Sequence, residues 1–412
     1  MLRTDVERSL LDEGYLFPDY EGYCFANVNP TALSLLGADC DRRLPERVFE
    51  GVDTDVDRVV LVFLDGYGWE HWKRDHADVP LLSAFSERGT VTPLTSIYPS
   101  ETAAATTTFH TGRTPVEHGV LGWDQYVQEI DAPLQVLPFA TRNGDPADEA
   151  YPEYDRESLY EGSSIYERAA ADGVESRHFH PFDAHNPSAG ATERTYDTVA
   201  DLGVDLRQEL ETEDGADYLF AYLPQIDEIA HAVGTGDERY RARLQMVTEC
   251  LRREVVEGVD PAVAERTLVL LTADHGIVDT VPDENVDLRG DDELWDALRR
   301  DGDGDPIPPV GSPRNCHLFL RDGTVDRVRE RIESRYPCRT FTREEAIERG
   351  LFGDAEPSDL FRRRCGDLIV VHRDRGMWYS EDELSLVGMH GGLTREEMLV
   401  PFAAARVSDL RE

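Results

Sequence analysis

Three apolar runs stand out along the chain: 58–64 (RVVLVFL), which is also rich in β-branched residues, 217–223 (DYLFAYL) and 267–271 (TLVLL). None alternates polar with apolar positions, and each gives way at once to polar or turn-forming residues. Each therefore reads as a strand buried on both faces of a parallel sheet. Shorter runs at 90–97, 175–179, 367–371 and 398–404 predict further strands, and 69–75, 80–89, 165–172, 195–212 and 237–256 predict helices. The segment 125–157 reads as loop. Strands interleaved with helices predict an α/β fold with a mostly parallel, doubly wound sheet sandwiched by helices.

Composition changes near residue 281, where acidic and Gly-Asp repeats run to 309. A strand at 315–320 and helices at 324–336 and 342–349 follow. We therefore expect a wrap onto the core at 1–56, the first part of the core at 57–280, a small inserted α+β subdomain at 281–365, and the rest of the core at 366–412. At 412 residues, one large domain with an insertion is the natural expectation.

Charge narrows the possibilities. Asp and Glu total 83 against 42 Lys and Arg, for a formal charge of −41, and Lys73 is the sole lysine. The acids are spread along a chain that also has buried-strand patterns, so a disordered acidic polymer is excluded. Salt relieves such self-repulsion, which points to a halophilic source. The same charge argues against a nucleic-acid or anionic membrane surface as partner, but not against a small phosphorylated substrate in a metal-bearing pocket. The first residues, MLRTDVERSLLDEGYLF, place charges where a signal peptide needs an apolar core, and no transmembrane-length run exists. We expect a cytoplasmic protein. The six cysteines are scattered without a C-x-x-C pair, which reads as packed thiols.

The chemistry gathers where strands end. Asp65-Gly66 follows the first run, Asp227 and His231 (QIDEIAH) the second, and Asp274-His275-Gly276 the third; His390 sits in GMHGG. Three carboxylates and three imidazoles suit zinc, with manganese the alternative. Asp227 and His231, four apart, share a helix face, whereas adjacent Asp274 and His275 can diverge toward two ions. Two ions about 4 Å apart would clamp the attacking and leaving oxygens of a displacement at phosphorus. The stretch YPSETAAATTTFHTGRTPVEHGVLG (98–122) adds a turn, hydroxyls at Ser100 and Thr102, and a run of small residues. A helix N-terminus there suits an anion, and an activated hydroxyl there suits a nucleophile. Any one motif alone is ambiguous, since Asp-Gly after a strand is commonly only a turn.

In joint order, these motifs resemble the alkaline phosphatase superfamily, most of all its type I phosphodiesterase and nucleotide pyrophosphatase branch. The matching stretches are 59–68, 98–122, 218–234, 268–276 and 388–401. The resemblance implies a two-metal α/β sandwich that hydrolyses phosphodiester or nucleotide pyrophosphate bonds through a phosphothreonine. It places Asp65, Thr102, Asp274 and His275 on one ion, and Asp227, His231 and His390 on the other. It makes Thr102 the nucleophile in preference to Ser100, and His118 a structural residue. His110, His178, His180, His185, His317 and His372 are left as surface or packed residues. Val120-Leu121-Gly122-Trp123 stands where the branch commonly carries an asparagine contacting a phosphoryl oxygen. The sulfatase pattern C-x-P-x-R and the Asn-Ser nucleophile of the phosphoglycerate mutases are both missing. Three alternatives stay open: a phosphomonoesterase, a phosphonate hydrolase, and a metal-binding protein without turnover. Arg113 and Arg314 are the cations that would favour a monoester.

Overall fold

The computed structural model of the chain describes residues 2–10, 14–182 and 187–411. A seven-stranded sheet forms its centre, in the order Thr90–Thr95, Leu399–Arg406, Thr267–Thr272, Arg58–Leu64, Tyr218–Leu223, Ser176–His180 and Ala191–Thr195. The strands from Thr267–Thr272 onward pair in parallel, and Leu399–Arg406 runs antiparallel to both neighbours. Helices flank the sheet. The three strongest apolar runs lie side by side at its middle, and every residue of Tyr218–Leu223 and Thr267–Thr272 is buried.

Register sets up the site. Leu64 pairs with Leu223, and Phe63 with Thr272. Parallel strands in this register end together, so Asp65, the helix Gln225–Val233 and the Asp274-His275 turn all emerge from one edge, where open α/β sheets place their ligands. The early segment packs on the same core: Phe25 meets Phe63 and Phe109 at ring-centroid distances of 5.6 and 5.8 Å.

Two expectations change. The strand expected at 367–371 is present as Leu368–His372, but it does not rejoin the central sheet. It pairs with Asn315–Leu318 and Cys338–Thr342 in a second seven-stranded sheet, all of whose pairings are antiparallel. Leu368 and Val370 face a small core with Cys316 and Leu318, whereas Ile369 and Val371 face the main core. Coverage on both faces gives this strand the continuous apolar run of a central one. The segment read as loop supplies Asp124–Val127, Ala132–Gln135 and Ala140–Thr141 to the second sheet. A short pair, Val278–Asp279 with Gly388–Met389, then carries the loop of His390 next to that of His275. No helix among the described residues is long and apolar enough to cross a membrane.

Candidate active site

Asp65 follows the last residue of its strand, and Gly66 turns the chain with φ of +72°, a left-handed conformation that favours glycine. A Cβ on Gly276 would stand 2.0 Å from the Glu396 carbonyl oxygen, so the glycine of Asp274-His275-Gly276 answers a backbone contact. Thr102 opens the helix Thr102–Thr111, and Glu101 caps it by accepting from the Ala103 amide at 3.3 Å. Glu101 is thus turned onto its own helix end, and burial pushes its carboxyl up to about 8.

The structure brings the seven expected residues into two adjoining groups. Asp65, Asp274 and His275 form one buried group, and Asp227, His231 and His390 the other, with ligand atoms within 4.8 Å of one another in each. Thr102 Oγ1 lies 3.1 Å from His275 Nε2 and 3.5 Å from Asp65 Oδ1. The rings of His275 and His390 stack with centroids 3.7 Å apart, which joins the two groups.

Main-chain carbonyls orient all three imidazoles. His231 Nδ1–H donates to the Gly388 oxygen at 2.6 Å, His275 Nδ1–H to that of Gly276 at 3.1 Å, and His390 Nδ1–H to that of Ser100 at 3.2 Å. A carbonyl only accepts, so a proton sits on Nδ1 and each Nε2 is turned inward, the nitrogen that could ligate a cation once it carries no proton of its own. His231 Nε2 lies 3.1 Å and His390 Nε2 3.7 Å from Asp227.

Electrostatics asks for cations. Burial, then the charges of Asp274 and Asp227, push the Asp65 carboxyl well above the usual carboxylate range. Burial also raises Asp274. Burial opposes a charged His231, but the Asp227 charge and hydrogen bond outweigh it and bring His231 up to about 9. Asp274 Oδ2 and Asp227 Oδ1 are buried and accept no hydrogen bond. Carboxylate oxygens buried in this way, beside inward-facing imidazole nitrogens, fit divalent ions.

Other residues take different places. Ser100, the rival hydroxyl, is fully buried and donates to the Gly392 carbonyl at 2.7 Å. His118 accepts from the Val120 amide and donates to Thr108 Oγ1 at 2.9 Å, a packed neutral ring. Neither Arg113 nor Arg314 lines the cavity beside Thr102. Arg314 is instead wholly buried in a two-pronged pair with Glu397, at 2.6 and 3.0 Å. His110, His317 and His372 are buried, and His185 lies outside the described residues. His178 and His180, given no ligand role from sequence, stand together beside Glu193.

The cavity beside Thr102 measures about 270 Å³, and its walls include Trp123, Pro313, Tyr379, Leu386 and Met389. Arg, Lys and Asn are absent from its described lining. Sequence reasoning missed this wall, because its aromatics come from the second sheet and its connections. It also missed Tyr222, whose hydroxyl donates to Asp65 Oδ2 from the neighbouring strand Tyr218–Leu223. The signal was a tyrosine at the end of an otherwise apolar strand, next to the Pro-Gln-Ile-Asp motif.

Comparison with solved structures finds murine ectonucleotide pyrophosphatase/phosphodiesterase 5 in an inactive threonine-to-alanine form in complex with AMP. It has a TM-score of 0.64 and 14% identity over 85% of this chain and 88% of that one. The human protein of the same name gives 0.63 and 16% over 84% and 87%. No curated protein matches by sequence. The family model for type I phosphodiesterase / nucleotide pyrophosphatase matches residues 59–393, most of the chain. With its fold, its strand-end motifs and this match, the chain belongs to the type I phosphodiesterase/nucleotide pyrophosphatase family of hydrolases, within the alkaline phosphatase superfamily.

Proposed function

We propose that the protein hydrolyses a phosphodiester or nucleotide pyrophosphate bond, with Thr102 as nucleophile and a phosphothreonine as intermediate. The observation that carries this reading is the cavity beside Thr102: an apolar, partly aromatic wall whose described lining includes no arginine or lysine. A monoester dianion spreads its charge over three non-bridging oxygens and calls for an added cation, commonly arginine. A diester carries one negative charge less and needs room for its second substituent. Trp123 and Tyr379 offer flat apolar surface suited to a nucleobase. AMP in a structural neighbour supports a nucleotide substituent.

In this mechanism Asp65, Thr102, Asp274 and His275 would hold one divalent ion, and Asp227, His231 and His390 the other. Bound there, zinc, or manganese as the alternative, supplies positive charge that acidifies the threonine hydroxyl and offsets the phosphoryl oxygens. Thr102 Oγ1 gives up its proton and attacks phosphorus in line. The bond to the leaving oxygen breaks with its electron pair going to that oxygen, which takes up a proton, and the phosphoryl group passes to the threonine. Water then attacks phosphorus, the bond to Oγ1 breaks, and the hydroxyl regains its proton. Tyr222 fixes Asp65, and the carbonyls of Gly276, Gly388 and Ser100 fix the imidazoles.

Steady-state kinetics tests the substrate class. With zinc or manganese supplied, kcat/KM for bis(p-nitrophenyl) phosphate or a dinucleotide should exceed that for p-nitrophenyl phosphate by about tenfold or more, a difference of about 1.4 kcal/mol in transition-state stabilisation. A clear monoester preference would promote the phosphomonoesterase reading.

We also propose a salt-adapted cytoplasmic protein. A net charge of −41 with one lysine predicts a higher melting temperature in molar KCl than in dilute buffer, because screening relieves self-repulsion. Equal melting temperatures in the two would count against it.

A further inference from the structure

Two histidines and a glutamate meet on strands that contribute none of the residues of the site above. In the parallel pair Ser176–His180 and Ala191–Thr195, His178 stands directly opposite Glu193. Side chains opposite one another in a ladder leave the same face, and so does His180, two residues on. The ligand atoms of His178, His180 and Glu193 lie within 4.8 Å of one another, with His180 Nε2 3.9 Å from Glu193 Oε1.

His178 is the unusual member. It is fully buried, and neither of its ring nitrogens has a hydrogen-bond partner. Tyr166, Phe220 and His110 enclose the ring at centroid distances of 4.3, 5.3 and 5.5 Å. The Tyr166 hydroxyl is turned to Asn29 and to His110 Nδ1. Leaving a buried polar group unsatisfied destabilises the fold, and a phenylalanine would fill the same aromatic nest without that cost. Burial holds His178 well below the ordinary histidine range, so the ring is neutral and a nitrogen lone pair is available to a cation. Glu193 is partly exposed, which gives an ion a way in and leaves room for a water.

We propose that His178, His180 and Glu193 form a third metal site, for zinc, that fastens the edge strand Ala191–Thr195 to the central sheet. Two imidazoles and a carboxylate are an established zinc ligand set, with bonds of about 2.0–2.2 Å. Ligand atoms around such an ion stand roughly 3.3 Å apart, within reach of side-chain rotation from the spacing seen here. The strand it would fasten is largely exposed, from Ala191 to Thr195, so few apolar contacts hold it otherwise.

Metal counting on the full chain tests the proposal. Protein stripped by a chelator is titrated with Zn²⁺ in molar KCl, which screens the surface acids, and bound zinc is measured after gel filtration. Wild type should hold one zinc per chain more than Glu193→Gln and one more than His178→Gln. Both variants should hydrolyse bis(p-nitrophenyl) phosphate at the wild-type rate. If His178→Gln does not fold, Glu193→Gln decides alone, because its side chain is partly exposed and the change keeps its size. Equal counts in wild type and Glu193→Gln overturn the proposal, and so does a lost equivalent accompanied by lost activity.

Discussion

Replacing Thr102 by alanine should lower kcat by about 10³-fold or more while leaving the fold in place, as expected when a covalent nucleophile is removed. The hydroxyl stands 3.1 Å from His275 Nε2 and opens onto the cavity, so its loss would remove the atom proposed to attack. The helix should survive, because Glu101 still caps it and alanine is the strongest helix former at that position. Thr102→Ser should restore most of the rate, since it keeps the oxygen. Ser100→Ala should cost far less, because the Ser100 hydroxyl is committed to the Gly392 carbonyl, away from the cavity. Stopped-flow or steady-state assays on the three variants, with circular dichroism as the folding control, settle the assignment. Wild-type rates in Thr102→Ala together with a dead Ser100→Ala would transfer the nucleophile to Ser100.

The second large effect is on stability. Arg314→Ala should destabilise the protein by about 3–5 kcal/mol, the usual result of stripping one partner from a buried ion pair. Both side chains are fully buried, and Glu397 would be left without its cation. Glu397 also accepts from the Gly392 amide at 2.8 Å and from Thr394 Oγ1 at 2.6 Å, so it braces the loop that carries His390. Activity should therefore fall along with stability. Arg314→Lys, which keeps the charge but loses the two-pronged geometry, should fall between the two. Urea unfolding followed by fluorescence gives the measurement, and a midpoint equal to wild type in Arg314→Ala would remove the pair from any bracing role.

The central sheet was legible because burial on both faces writes itself as unbroken apolar runs. The expected strand at 58–64 is the one found, and 217–223 and 267–271 differ from the observed strands by a single residue at one end. The strand-end part of the candidate site was legible for a related reason: Asp65, Asp227 and Asp274-His275 follow those runs closely, at positions the parallel register aligns. The same rule misassigned Leu368–His372, because a strand between two cores is as apolar as one inside a sheet. The second sheet escaped notice where its strands are only two to four residues long and partly exposed, as in Ala132–Gln135 and Ala140–Thr141. The edge strand Ala191–Thr195 (ATERT) escaped because it is polar and exposed. Arg314 and Glu397, 83 positions apart, carry no local mark of their pairing. A lone arginine in a chain rich in acids reads as solvated until the fold buries it.

Asp65, Asp227, Asp274 and His275 issue from one edge of the central sheet, whereas Trp123, Gly311 and Ser312 reach the cavity from the second sheet and its approaches. In the proposed reaction, bond-breaking and substrate choice would therefore be written in separate parts of the molecule. Relatives can drift in what they accept by exchanging side chains along that opposite wall, with the reactive centre left untouched. A library randomised at Trp123, Tyr379 and Leu386 would sample new leaving groups without rebuilding the machinery that cleaves them.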